Sequence, residues 1–245
     1  MMKKPINSVL LTTASTLGLA CLAQPASAAS IHVEDFNSND GGYVAALFDP
    51  ISAGGAAASG PWVVGPNGVG STNAWSAIGG EGGPYEHHLT SPVITVPGNG
   101  SVSLEFDHKT LLEGAWDGGV IMISVNGGAF AQLTNFSENG YNDTMQSTDS
   151  WGYPEGIDSM VGLAMFSGDS GGFVHSVGDL GILGAGDTLQ VQFRGGWDWG
   201  FAQGGGAPEW IVDNVTVNQA VPEPSSTLLM GMAGLALVLR KRSRK

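Results

Sequence analysis

Short runs of alternating apolar and polar residues recur along the middle of the chain, separated by clusters of glycine. Residues 102–106 (VSLEF) and 189–193 (LQVQF) alternate at every position. Because successive side chains of a β-strand point to opposite faces, this pattern predicts strands with one buried face and one exposed face. Six strands are predicted, at residues 30–36, 89–96, 102–108, 120–125, 189–194 and 210–217.

Glycine and asparagine mark the turns between these runs. Asn126 and Gly127 follow a long apolar run, and both tolerate the positive φ that a tight hairpin turn requires. Residues 53–60 and 204–206 are rich in glycine, which is typical of surface loops. The sequence shows neither a convincing helical period nor an internal repeat. It therefore predicts an all-β fold in which two sheets form a jelly-roll, concanavalin-like sandwich.

The N-terminus has the three parts of a secretory signal peptide. Two lysines are followed by an apolar run at residues 9–23 and then by the small residues Ala26-Ser27-Ala28. A positive start, a short apolar segment and a small-x-small exit are the parts of a cleavable export signal. We therefore predict that residues 1–28 are removed. Two alternatives are an uncleaved membrane anchor and a lipoprotein in which Cys21 carries the lipid.

The C-terminus has a second ordered pattern. Pro222-Glu223-Pro224 is followed by an apolar run at residues 227–239 and by a basic cluster at residues 240–245. The prolines favour an extended segment, and the basic cluster belongs on the cytoplasmic side of a membrane by the positive-inside rule. The three parts and their order resemble the PEP-CTERM sorting signal.

This resemblance implies several expectations about biogenesis. An exosortase, which is a membrane transpeptidase, would recognise Pro222, Glu223 and Pro224. The apolar run would form a short transmembrane helix that holds the protein transiently in the inner membrane. The body would then be released to the cell surface or the extracellular matrix. In the alternative, the tail is a permanent anchor, and that also leaves the body outside.

The two ends leave residues 29–219 for one β-sandwich domain and residues 220–245 for the sorting signal. Residues 29–220 contain 21 Asp and Glu against only Lys109 and Arg194, a formal net charge of −19. This composition excludes nucleic acid as a partner, because phosphate binding requires clustered basic residues. The acidic residues would either bind divalent cations or simply keep a secreted protein soluble. No cysteine remains after the predicted cleavage, so disulfides do not stabilise the domain.

The body also has an ordered set of short motifs. Glu34-Asp35-Phe36 opens it, residues 104–108 (LEFDH) and 124–128 (SVNGG) follow, and residues 210–215 (WIVDNV) close it. This order is similar to MAM-like and bacterial immune-inhibitor-type jelly rolls, although the cysteines of the animal members are absent. The resemblance implies a cation, with calcium the candidate, at Glu34, Asp35 and Asp213. In the alternative, Asp213 only accepts hydrogen bonds from local backbone amides.

Aromatic residues outside the predicted strands are the candidate ligand site. Sugars stack their apolar ring faces on aromatic side chains, while polar groups bind the hydroxyls. In the alternative, the same rings fold back and cap the core. The candidates are Trp116, Trp151, Tyr153, Trp197 and Trp199.

Two further motifs bear on catalysis. Residues 168–172 (GDSGG) match the nucleophile motif of chymotrypsin-like proteases, but no histidine of this chain has the sequence context that the family requires. We therefore predict a glycine-rich turn around Ser170. His87 and His88 are adjacent and, in a strand, face opposite ways, so they do not chelate one metal ion together.

The sequence favours a non-enzymatic, carbohydrate-binding or adhesive module of the cell surface or the exopolysaccharide matrix. One alternative is a secreted hydrolase, either a serine protease using Ser170 or a glycosidase using carboxylates such as Glu113 and Asp117. The other alternative is a passive structural protein of the biofilm matrix.

Overall fold

The structure is a computed structural model that describes residues 27–48, 62–79, 85–146, 159–198 and 209–221. One short 3₁₀ turn, η1 (Val69–Ser71), lies among strands that account for most of these residues. The strands are β1 (Ser27–Glu34), β2 (Val44–Phe48), β3 (Val63–Gly65), β4 (Ala74–Ile78), β5 (Tyr85–Thr90), β6 (Ile94–Thr95), β7 (Gly100–Leu111), β8 (Gly118–Val125), β9 (Ala131–Gln132), β10 (Phe136–Glu138), β11 (Asp143–Thr144), β12 (Ala164–Met165), β13 (Val174–Leu183), β14 (Thr188–Trp197) and β15 (Glu209–Val221).

The long strands form two antiparallel sheets. Sheet A has the order β10-β13-β7-β15-β4-β3, with β1 paired to the second half of β15. Sheet B has the order β2-β5-β14-β8-β9, with β6 paired to β14, and β11 and β12 pair separately. The long strands from β7 to β15 alternate between the sheets, which is the crossing pattern of a jelly roll. The predicted all-β, two-sheet sandwich is confirmed.

The core lies between the sheets and follows from the alternation in the sequence. The inward residues of β7 and β14 are fully or almost fully buried, and the rings of Phe106 and Phe193 meet edge to face across the sheets, 5.4 Å apart. Replacing such a ring with alanine costs about 3–5 kcal/mol of unfolding free energy. The inward side chains of these two strands are Val102, Leu104, Phe106, Leu189, Val191 and Phe193.

Two paired glycines make room for tryptophan in this core. Gly119 and Gly195 lie opposite each other in β8 and β14. A Cβ atom on Gly119 would lie 2.7 Å from the indole of Trp210, and one on Gly195 would overlap the indole of Trp197. Glycine is required at both positions because the rings pack directly on the backbone.

A buried histidine completes the core without an ion pair. The Trp210 indole N–H donates to Nδ1 of His108 (3.4 Å), and Nε2 of His108 donates to the hydroxyl of Ser176 (3.1 Å). Ser176 in turn donates to the carbonyl of Asn139 (2.7 Å). Burial lowers the pKa of His108 to about 4, so the imidazole is neutral at neutral pH.

Five of the six predicted strands are present, and four of them extend further than the alternation indicated. The single strand predicted at residues 89–96 is wrong, because β5 ends at Thr90 and β6 begins at Ile94. Pro92 lacks an N–H and cannot continue the ladder. The hairpin turn is confirmed, since Asn126 and Gly127 have φ of 54° and 68°. The predicted loops at residues 53–60 and 204–206 lie outside the described residues.

Both sheets belong to one unit, Ala26–Pro222. A second unit, Met1–Pro25 with Glu223–Lys245, contains most of the predicted signal peptide and the predicted apolar tail. It lies outside the described residues. β1 begins at Ser27, so the last two residues of the predicted signal peptide are strand residues here. Within the part of the chain that the structure describes, no helix has the length and apolarity to span a membrane.

Candidate functional site

The outer face of sheet B carries five hydrogen-bonding side chains on two neighbouring strands. Leu89 and Phe193 point into the core, so the alternate residues of β5 and β14 point outward. Arg194 lies opposite His88, and Gln192 lies opposite Thr90. We call this group the sheet B polar cluster; it consists of Glu86, His88, Thr90, Gln192 and Arg194.

Glu86 is the centre of the cluster. Its Oε2 accepts a hydrogen bond from Nε2 of His88 (2.8 Å) and lies 3.9 Å from Nε of Arg194, while its Oε1 accepts one from the hydroxyl of Ser159. The side chains of Glu86, His88 and Arg194 are 0%, 17% and 15% exposed. A buried carboxylate is stable only with such partners, so Glu86 fixes the positions of the residues around it.

Arg194 is also held from its other side. Its Nε and Nη2 both donate to Oε1 of Gln192, at 3.2 and 3.0 Å. Nε2 of Gln192 then donates to the hydroxyl of Thr90 (3.1 Å). The guanidinium is therefore oriented before any ligand arrives, which reduces the entropy lost on binding.

An apolar cluster borders the polar one on the same face. Val120 and Met122 of β8 lie opposite Arg194 and Gln192 of β14. Three further methionines cover them, and the thioether is a flexible group that adapts to irregular surfaces. The outer face of sheet B therefore changes from polar to apolar across one strand. The buried members of this apolar cluster are Val120, Met122, Met145, Met160 and Met165.

The structure places two of the predicted aromatic residues. Trp116 is partly exposed in the turn before β8, two residues from Gly118. Gly118 of β8 and Glu86 of β5 both pair with Gly196 of β14, so Trp116 is at the same end of sheet B as Glu86. Trp197 is only 1% exposed and packs on Gly195 and on the ring of His87, 4.9 Å away.

The structure corrects the prediction that Trp197 offers its ring to a ligand. It belongs to the core because the bare backbone at Gly195 leaves room for an indole. Trp151, Tyr153 and Trp199 lie outside the described residues, and their role in ligand binding stays a prediction.

A buried carboxylate joins the turn before β8 to the end of β14. Oδ1 of Asp117 accepts from the amide of Asp198 (3.0 Å), and Oδ2 accepts from the amide of Glu113 (3.1 Å). Burial raises the pKa of Asp117 to about 7, and the carboxylates of Asp198 and Glu113 act in the same direction. Burial and Asp198 also raise the pKa of Glu113. Both oxygens of Asp117 accept hydrogen bonds from backbone amides, so the carboxylate holds these two segments together.

The predicted cation residues lie where the first and last strands meet. β1 pairs with β15, and Glu34 lies opposite Val215. Glu34 accepts from the amide of Phe36 (2.9 Å), and the exposed Asp35 accepts from the amide of Asn37 (3.1 Å), a bond that lowers its pKa. Asp213 is fully buried.

Asp213 is surrounded by other oxygens. Its Oδ2 accepts from the amide of Val69 (2.8 Å). A Cβ atom on Gly68 would lie 2.5 Å from this Oδ2, 2.7 Å from the carbonyl oxygen of Asn73 and 2.7 Å from the hydroxyl of Thr72. Three oxygens thus pack closely against Gly68, and burial raises the pKa of Asp213.

Carboxylate, carbonyl and hydroxyl oxygens are the donors that calcium prefers. Among the described residues, no group of three or more His, Cys, Asp or Glu side chains is arranged to hold a metal ion. A cation beside Asp213 would therefore depend on backbone and hydroxyl oxygens. Calcium binding at Glu34, Asp35 and Asp213 stays a prediction.

Ser170 lies in a turn, as its glycine neighbours predicted. Its hydroxyl donates to the carbonyl of Gly172 (2.7 Å) and accepts from the amide of Thr110 (3.0 Å). Gly168 and Gly171 have φ of 73° and 67°, conformations that favour glycine. The hydroxyl is bound to backbone groups and not to a histidine in these contacts.

The sequence interpretation missed the sheet B polar cluster. It did predict that His87 and His88 face opposite ways, and the structure confirms this, since His87 is buried against Trp197 and His88 faces outward. The available signal was Arg194, one of two basic residues in the body, on the polar side of an alternating strand. Its ion-pair partner Glu86 comes from a distant part of the chain, while its hydrogen-bond partner Gln192 is two residues away.

A search of curated proteins gives no match to this chain. Among solved structures, it is similar to the CBM22-1 xylan-binding domain from Paenibacillus barcinonensis Xyn10C, at 10% identity over 80% of this chain and 98% of that one, with a TM-score of 0.43. It is also similar to the K3 cleaved adhesin domain of Lys-gingipain from Porphyromonas gingivalis W83, at 16% identity, 78% and 100% coverage and a TM-score of 0.41. A third similar structure is TmCBM61 in complex with β-1,4-galactotriose, at 9% identity, 65% and 88% coverage and a TM-score of 0.37.

The C-terminus matches a family of sorting signals. The PEP-CTERM protein-sorting motif matches residues 220–244, which include Pro222, Glu223 and Pro224. These three residues lie outside the described part of the structure. The predicted sorting signal is confirmed, and such a motif implies export and processing by an exosortase. The chain therefore carries a PEP-CTERM sorting signal behind an all-β sandwich body.

Proposed function

We propose that this protein is a non-enzymatic carbohydrate-binding module that acts in adhesion at the cell surface or in the exopolysaccharide matrix. Its ligand site is the sheet B polar cluster. The observation that supports this proposal is the set of five outward side chains held in two hydrogen-bonded groups, which the 3.9 Å ion pair between Glu86 and Arg194 joins, beside an apolar methionine cluster.

The chemistry of the cluster suits a sugar. A sugar hydroxyl both donates and accepts, and the partly exposed members of the cluster include a donor in Arg194 and an acceptor in the hydroxyl of Thr90, while the buried Glu86 and Gln192 orient them. Val120 and Met122 are buried under three further methionines, so this apolar cluster supports the polar side chains from one side and does not itself contact the ring. Partial exposure of His88 and Arg194 leaves polar groups at the surface, where hydroxyls can reach them.

The sorting signal agrees with this role. A protein that crosses the inner membrane and is then released by an exosortase meets polysaccharide outside the cell. The strongly acidic body remains soluble there, because its net charge keeps copies apart. A passive structural matrix protein would have the same export route but no ligand at the cluster.

The test uses the exported, processed protein on a panel of polysaccharides. Arg194→Ala removes two hydrogen bonds from the network and should weaken binding of the best glycan at least about tenfold. His175→Ala, on the outer face of sheet A, is the matched control and should bind like the parent. Equal binding by the parent and Arg194→Ala, with both folded, would refute the cluster as the site.

We further propose that calcium supports the fold beside Asp213. The carboxylate of Asp213, the hydroxyl of Thr72 and the carbonyl of Asn73 support this, because all three lie beside Gly68 and are oxygen donors of the kinds that a hard cation takes. Glu34 and Asp35 are the carboxylates that the family resemblance adds. In this position the ion would join the loop at residues 66–73 to β15, with no direct part in sugar binding.

A further inference from the structure

We infer that the sheet B polar cluster selects uncharged glycans over carboxylated ones, and that Glu86 determines this selectivity by neutralising Arg194. The inference rests on the proposed function and names the ligand class of the same site. It is argued from the charges in and around the cluster.

The first step concerns the charge of the body as a whole. Lys109 and Arg194 are the two basic residues of residues 29–220, against 21 acidic ones. Lys109 lies on β7 of sheet A, so Arg194 is the basic residue of sheet B. A polyanion that approaches this face meets long-range repulsion, which decays over a Debye length of about 8 Å at physiological salt.

The second step concerns the cluster itself. Arg194 is the group that would bind a sugar carboxylate, because a guanidinium matches a carboxylate in a two-point contact. In this structure its Nε lies 3.9 Å from Oε2 of Glu86, and its Nε and Nη2 already donate to Gln192. An incoming carboxylate would have to compete with both partners and would be placed beside a second carboxylate.

The third step concerns burial. Glu86 is fully buried, and His88 and Arg194 are largely buried, so solvent screens the repulsion between Glu86 and a ligand carboxylate only weakly. A hydroxyl in the same place has no such penalty, because it can accept from Arg194 or donate to a carboxylate. Selectivity would therefore come mainly from the penalty on the carboxylated ligand, whose charge lies unpaired beside Glu86, and less from any gain in binding the neutral ligand.

A purely structural role of Glu86 makes a different prediction. Glu86 also accepts from Ser159, so it could serve only to hold the chain at that point against sheet B. In that case Glu86→Gln would change the stability of the protein and leave the order of its ligand affinities unchanged. The selectivity of folded variants therefore separates the two roles.

The experiment measures binding of the exported, processed protein to matched oligosaccharides that differ only at C6, such as galacturonan oligomers and the same oligomers after reduction of the C6 carboxyl group to a primary alcohol. The parent should bind the neutral member at least about tenfold more tightly. Glu86→Gln leaves Arg194 without a counter-charge, so its affinity for the carboxylated member should rise about tenfold. The double variant Glu86→Gln with Arg194→Gln should lose that gain. Circular dichroism and the melting temperature check that each variant is folded.

A second variant keeps the inference testable if Glu86→Gln does not fold. Arg194→Gln retains Glu86 and should increase affinity for a cationic chito-oligosaccharide relative to the parent, an increase that high salt suppresses. A parent that prefers the carboxylated member, or folded variants whose preferences do not change, would overturn the selectivity. Failure of the parent to bind any glycan would instead refute the proposed function, and the inference with it.

Discussion

The outer faces of the two sheets carry similar hydrogen-bonded pairs in different surroundings. On sheet B, Nε2 of His88 lies 2.8 Å from Oε2 of Glu86, and on sheet A, Nδ1 of His175 lies 2.8 Å from Oδ1 of Asp107. The first pair is almost buried, whereas the side chains of His175 and Asp107 are 49% and 21% exposed. Equal distances therefore do not imply equal energies.

The difference between the faces is a difference in solvation. Water competes for the His175–Asp107 pair and screens it, so such a pair contributes about 0–1 kcal/mol. Removing one partner of a buried pair instead leaves an uncompensated charge, which is strongly destabilising. The buried side chains on sheet B are thus held in fixed positions, as the proposed ligand site requires. The His175–Asp107 pair on sheet A is instead exposed to solvent.

The largest expected effect is on stability. Glu86→Ala should lower the free energy of unfolding by about 3 kcal/mol, because Arg194 loses its buried counter-charge. His175→Ala, which removes the exposed partner of the pair on the other face, should cost no more than about 1 kcal/mol. Denaturant unfolding of both variants gives the comparison, and equal losses would contradict the assigned difference in burial.

The next effect concerns the buried carboxylate of sheet A. If calcium binds beside Asp213, a concentration of 100 times its dissociation constant should stabilise the fold by about 2.7 kcal/mol, because the ion binds only the folded state. Thermal melting with calcium and with a chelator measures this. Asp213→Asn should abolish the response, while Asp35→Asn, at an exposed position, should reduce it less. An unchanged melting temperature in the parent would rule out the ion.

A smaller effect is the dependence of stability on pH. The pKa of Asp117 is raised to about 7 in the folded protein. Its contribution to the free energy of unfolding is therefore fully present below the usual carboxyl pKa and is lost as pH rises through 7. The pKa values of His87 and His108 are lowered to about 4, so their contributions are present above 6.5 and are lost as pH falls toward 4.

Asp117→Asn should therefore reduce the loss of stability toward neutral pH, with the remainder due to Glu113 and Asp213, and leave the acid limb in place. Denaturant unfolding between pH 4 and pH 8 measures both limbs. His175→Ala, at a half-exposed position on the outer face of sheet A, is the matched control variant. A parent curve that Asp117→Asn does not alter would contradict the burial of this carboxylate.

The sequence predicted the strands well because alternation records burial directly. The residues of β7 and β14 alternate because one face meets the core, and Asn126-Gly127 marks its turn because few other residues adopt positive φ. Trp197 was misplaced because its position depends on the absence of a side chain at Gly195. That contact is between side chain and backbone, and alternation does not record it.

The polar cluster was missed for a different reason. Polar residues on the outer side of a strand are expected on any solvated face, so Glu86 and Arg194 looked ordinary. What sets them apart is burial by distant residues such as Ser159, which is 73 positions from Glu86. The order of the strands in sheet B places β5 beside β14, and the register of this pair makes Glu86 and Arg194 neighbours.

The central claim is that sugar binds sheet B and not sheet A. Amide hydrogen exchange of the processed protein, with and without its best glycan, tests this directly. The account predicts slower exchange in β5 and β14, with β7 and β13 of sheet A unchanged. Protection of β7 and β13 alone, or no change in β5 and β14 at saturating glycan, would contradict it.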